Sequence, residues 1–192
     1  EGVMENPKPD VIFGLHSDPK IEAGIITYRS GGILAAVKDF RIVIKGRQAH
    51  GANPWYSIDP VVVSAQVINN LQTIISRNLN ITKNPGVVTV GSIHGGNRSN
   101  IIPEQVELVG TIRALSEPDM KMIVERVKQI VIKTAEAAGA TVEMQLPYST
   151  DYPVTYNDPE LMDKMLPTLK RINGDKNVLL ISPETGAEDF SF

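Results

Sequence analysis

The sequence has 192 residues, 42% of them hydrophobic and 21% charged, with a formal net charge of −3. That suits one large or two small domains, and it leaves no electrostatic footprint for nucleic acid or an anionic membrane. Cysteine is absent, which excludes a disulfide framework and a thiolate zinc site and fits a reducing cytoplasm, and no run of about 18 apolar residues offers a membrane span.

Along the chain, residues 1–16 read as a helix tail, a Pro-broken loop and a buried strand, "DVIFGLH", over 10–16. Residues 24–46 read as strand, Ser30-Gly31-Gly32 turn, strand. Phe40, Ile42 and Ile44 alternate there with Arg41, Val43 and Lys45, as in a half-buried antiparallel strand. A helix is expected over 59–78, with Asp59 as N-cap, Pro60 in its first turn and an apolar stripe of Val67, Ile68, Leu71, Ile74 and Ile75. Strands follow over 86–96 and 105–114. Ser116 then opens a second helix, whose apolar face is Ile123, Val127, Ile130 and Val131 and which Gly139 closes. A last alternating strand covers 141–146.

From about 38 to 146 the order is strand, helix, strand, strand, helix, strand. That is the pattern of a ferredoxin-like split βαβ sandwich. Beyond a Pro/Asp/Tyr connector, Asn157 or Asp158 caps a helix over 159–172, and 176–182 forms a short apolar strand. The fold class expected is therefore α/β, a ferredoxin-like lid inserted in part of an α/β domain. The abrupt ends suggest a piece of a larger protein.

Three histidines occur in the chain. His16 ends the 10–16 strand, where α/β folds place ligands, and Asp18 is either its partner or a turn residue. His50 sits in a Gly/Pro-rich turn and could bind metal, carry a proton, touch substrate or do nothing. His94 reads best as an exposed loop residue. Arg113, at a strand end after the polar loop holding Asn100, could grip a carboxylate or form a surface ion pair. Glu188 and Asp189 could be capping residues or active-site acids.

Four ordered stretches carry a resemblance: "FGLHSDP", "IKGRQAHGANPWYSIDP", "GGNRSNIIPEQVELVGTIR" and "GAEDFS". Together they resemble the co-catalytic zinc metallopeptidases that include the aminoacylases and glutamate carboxypeptidases, above all the amidohydrolase branch acting on N-acyl amino acids. The resemblance implies a lid over about 24–148, which mediates homodimerisation, and parts of a two-metal catalytic domain over 1–23 and 149–192. It implies His16 as a metal ligand and His50 as a catalytic contact to substrate and transition state. Asn100 and Arg113 become substrate contacts, with Gly186 and Glu188 at the rim. Two divalent metals are implied, zinc first, with manganese, cobalt or nickel serving the same ligands.

The resemblance also has gaps. The branch's cysteine-containing ligand motif, its paired glutamates and its C-terminal histidine are not in this sequence, so the chain by itself is expected to be inactive. Two other readings stay open: a stand-alone dimerisation or binding module, and a dipeptidase or carboxypeptidase of the same family.

Overall fold

The computed structural model describes residues 2 and 4–192. Its elements are β1 (Ile26–Tyr28), β2 (Gly31–Leu34), β3 (Ala36–Lys45), β4 (Ala49–His50), α1 (Pro60–Thr73), β5 (Gly86–Gly95), β6 (Ile101–Ile102), β7 (Gln105–Ala114), α2 (Glu117–Ala137), β8 (Thr141–Gln145), β9 (Asp151–Tyr152), β10 (Thr155–Asn157), α3 (Pro159–Asn173) and β11 (Val178–Leu180).

The central sheet runs β5-β7-β3-β8, antiparallel throughout, and β9 pairs the start of β3. With β3 and β5 separated by β7, this is the split βαβ arrangement expected from the sequence. The alternation along the strands sets the face. Phe40, Ile42 and Ile44 of β3, with Val106, Leu108 and Ile112 of β7, are buried under the two helices. Gly110 sits in the same row because a Cβ there would collide with the Phe40 ring and the Thr89 carbonyl.

Both helices begin where the sequence signals it. The Asp59 carboxylate accepts from the amides of Val61 and Val62 (2.9 and 3.3 Å) and so caps α1, and Ser116 Oγ accepts from Asp119 N at 3.3 Å at the head of α2. Past Thr73, α1 widens into a π turn over 74–78. Gly139, at φ +74, ends α2 in the left-handed conformation that a side chain would disfavour.

Outside this body the structure is sparser. β1 pairs β11 in parallel and β2 pairs β10 antiparallel, two small sheets tied to the body through Ala35 N, which donates to Gly186 O at 2.8 Å. Asp158, not Asn157, caps α3. One expectation fails here. Residues 10–16 form no strand, and Val11, Ile12, Phe13 and Leu15 are exposed. A strand needs a neighbour for its amides and carbonyls, and no described strand lies beside this segment.

Candidate active site

His16 and Glu188 come together although 172 positions separate them: His16 Nδ1 lies 2.6 Å from Glu188 Oε2. Close packing of Gly14 on the Phe190 ring holds the two segments in register, since a Cβ at Gly14 would already meet that ring at 3.2 Å. Glu188 also accepts from Phe190 N as the cap of the short 3₁₀ turn Asp189–Ser191.

The hydrogen bond from Asp189 is the main cause that holds the Glu188 carboxyl below its usual range, with the Phe190 amide and His16 adding to it. The same bond and the Glu188 charge push the Asp189 carboxyl up. Asp18 does not serve His16. It caps its own turn, accepting from Lys20 N at 2.8 Å, so the turn reading holds.

A carboxylate that receives Nδ1–H fixes the imidazole tautomer and leaves Nε2 as the free donor atom. Together with the 67% exposure of the His16 side chain, that fits one corner of a divalent-metal site. Among the described residues no group of three His, Cys, Asp or Glu could hold a metal ion, so this pair does not form a metal site by itself.

His50 is built differently. β4 pairs β6 with Ala49 opposite Ile102 and His50 opposite Ile101, and Gly51 N donates to Asn100 O at 2.8 Å. Gly51 is small where the Asn100 backbone passes closely. Ala52 N donates to His50 Nδ1 at 3.1 Å, which assigns the proton to Nε2 and presents an exposed N–H donor. His50 and Asn100 thus form one unit. His94 is exposed at the end of β5, opposite Glu107.

Arg113 lies elsewhere. It stands opposite Val37 and Val87, on the helix-free face at the far end of β7. That end adjoins Gly186 through Ala35. His50 and Asn100 lie beyond the other end, past Lys45 opposite Gln105. Nine residue steps at about 3.4 Å separate the two ends of β3, about 30 Å. The candidate residues of one chain therefore fall into two groups: His16, Gly186, Glu188 and Arg113 at one end, His50 and Asn100 at the other. Sequence reasoning named these candidates but not the His16–Glu188 pairing, for which no local signal exists. It could have found the separation by counting the strand between Asn100 and Arg113.

Comparison with known proteins agrees with this architecture. The model of the peptidase dimerisation domain of the M20 family matches residues 35–138, from the start of β3 to the end of α2. Thermostable carboxypeptidase 2 of Saccharolobus solfataricus is 35% identical over 190 residues, 99% of this chain and 47% of that protein. N-acetyldiaminopimelate deacetylase of Pediococcus pentosaceus is 35% identical over 185 residues, 96% of this chain and 47% of that protein. The chain thus spans about half the length of the curated relatives it matches.

Among solved structures, one from methicillin-resistant Staphylococcus aureus superposes with a TM-score of 0.79 at 30% identity, covering 88% of this chain and 43% of the other. The Bacillus subtilis YXEP protein, described as a dinuclear metal binding peptidase from the M20 family, gives 0.71 at 26% identity over 92% of this chain and 42% of its own. A match across more than half of the chain, on the elements that form its core, makes this chain a member of the M20 peptidase dimerisation-domain family.

Proposed function

We propose that this chain is the dimer-forming, site-completing part of a metal-dependent amidohydrolase that cleaves the amide bond of N-acyl amino acids. Residues 24–148 act as the lid, while 1–23 and 149–192 belong to the catalytic domain. The observation that carries this is the separation of the two groups of candidate residues by the length of β3, which one chain cannot close on a small substrate.

A homodimer closes it. β5 is a sheet edge ten residues long without a Lys, Arg, Asp or Glu, and Val87 and Ile93 are exposed on it. Such an edge is a template for another strand unless something guards it. A second copy pairing antiparallel about a twofold axis sets the Gly95 end of one β5 beside the Gly86 end of the other. That brings His50 and Asn100 of one protomer to the Arg113 and Gly186 end of its partner.

Bound divalent metals, zinc foremost, would polarise the amide carbonyl and lower the pKa of water. His16 is the residue here that would hold one, through Nε2, with Glu188 orienting its ring. His50 donates Nε2–H to the oxygen that gains charge as the amide is attacked. Arg113 receives the substrate carboxylate bidentately, and Asn100 supplies an amide beside it. With one imidazole corner the chain alone is inactive. A carboxypeptidase reading keeps these roles and follows from the carboxypeptidase relative. Parallel assay of N-acyl amino acids and peptides separates the two.

The test mixes two inactive full-length variants, His50→Ala and His16→Ala, and allows subunit exchange. Half of randomly formed dimers are mixed, and each mixed dimer has one complete site, so about a quarter of wild-type activity returns. No recovery after exchange has been verified overturns action in trans. A wild-type enzyme without amidase activity overturns the reaction class.

A further inference from the structure

The turn that carries His50 also carries the one tryptophan of the sequence, next to Tyr56. Trp55 and Tyr56 are 69% and 67% exposed, with ring centroids 5.9 Å apart and planes tilted by 60°. Exposed aromatics are ordinary on a loose loop, but this loop is tied at nearly every step. Asn53 N donates to His50 O (2.8 Å), Tyr56 N to Asn53 O (3.2 Å) and Ser57 N to Pro54 O (2.9 Å). Ser57 Oγ donates to Pro54 O, and Arg47 Nε to Tyr56 O at 2.8 Å. Arg47 and Ile58 exchange both backbone bonds, closing the loop, and Gly46 permits this because a Cβ there would overlap the Ile58 carbonyl.

We propose that Trp55 and Tyr56 form an apolar wall against the acyl group of a substrate bound in the partner protomer's site, so that acyl preference is set in trans. This rests on the reading given above for His50. Trp55 and Tyr56 follow His50 in the same tied turn, in which Asn53 N reaches back to His50 O and Gly51 N to Asn100 O. With Asn100 and Arg113 assigned to the carboxylate end of the substrate, the acyl group is the part left for the aromatic pair beside His50. No charged side chain occurs from Gly51 to Ile58, so the wall suits an uncharged apolar acyl group, aromatic or branched. Rings held on a pre-ordered backbone lose little freedom when a ligand docks, and they offer large contact area.

The experiment uses the full-length enzyme and two substrates sharing one amino acid, N-benzoyl and N-acetyl. In the homodimer, Trp55→Ala should lower kcat/KM for the benzoyl substrate about tenfold and for the acetyl substrate less than about twofold, with Trp55→Phe between. Equal losses on both, or dissociation of the Trp55→Ala dimer in sedimentation, overturn the wall and make the aromatics a subunit contact.

The trans assignment is read in mixed dimers of His16→Ala and His50→Ala subunits. Adding Trp55→Ala to the His16→Ala subunit should shift the preference of the single working site, and adding it to the His50→Ala subunit should not. The reverse pattern overturns the assignment. Mixed dimers that are inactive without any Trp55 change overturn the His50 reading instead, and the homodimer preference still decides whether the aromatics meet the acyl group.

Discussion

The body from Ala35 to about Leu146 and the segments flanking it both carry apolar patterning, yet they bury it very differently. The body holds one continuous core in which Phe40, Ile42, Leu71, Leu108, Ile123 and Val127 are wholly shielded from water. The flanks contain two-stranded sheets and the amphipathic α3, which buries no residue at all. Leu15 is 96% and Phe192 82% exposed there, and Ile172 and Leu180 also face solvent. Apolar patterning marks a face in both regions. In the body the pattern becomes burial, the dominant source of stability, whereas among the described residues of the flanks Val178 alone of the apolar side chains is buried to that degree.

The largest expected effect tests that contrast directly. Phe40→Ala empties a site with no exposure, and it should lower unfolding stability by about 3–5 kcal/mol in urea titration of this chain. Ile172→Ala, also a large-to-small change in an apolar residue, should fall within about 0.5 kcal/mol. Comparable losses at the two positions would break the division into a cooperative body and a loosely held flank.

Helix caps sharpen it at smaller scale. Asp59→Ala removes the acceptor for Val61 N and Val62 N at the head of α1 and should cost about 1 kcal/mol of the global transition. Asp158→Ala removes the equivalent bond from Leu161 N, 2.8 Å long, at the head of α3. Its effect should appear as faster hydrogen exchange of α3 amides while the global midpoint stays put. A midpoint shift as large as that of Asp59→Ala would join α3 to the cooperative unit.

The same contrast explains what the sequence discloses. The strand–helix order of the body is legible because each strand alternates with period two and each helix shows a stripe with a cap: Asp59 and Pro60 for α1, Ser116 and Gly139 for α2. The strand expected over 10–16 is absent because apolar character alone does not supply a pairing neighbour. β9 and β10 are two and three residues long, too short for any periodic signal, and their places are set by β3 and β2. His16, His50, Asn100 and Arg113 could be named from their motifs. Their division between two ends of the molecule follows from strand register, and the His16–Glu188 contact joins segments with no sequence proximity.

The smallest effect concerns the seam between the regions. Asp39 of β3 reaches the turn that leaves the body: Oδ1 accepts from the amides of Tyr148 (3.2 Å), Ser149 (2.8 Å) and Thr150 (2.7 Å), and Oδ2 accepts from the Ser149 hydroxyl. Burial pulls the carboxyl upward, but the bonds from Ser149, Thr150 and Tyr148 outweigh it and hold the group below its ordinary 3.8. A folded-state value below the unfolded one means the charged form stabilises the fold above about pH 4, and that this contribution is lost as pH falls through the lowered value. The stability difference between the wild-type chain and Asp39→Asn should therefore be constant from pH 7 to about 5 and shrink below about 4. Because Asp39 is half-exposed, solvent screening keeps the difference small beside that of Phe40→Ala. A difference that persists undiminished to the lowest pH at which the chain stays folded would show that Asp39 holds the turn by shape, and that its charge contributes nothing to joining body and flank.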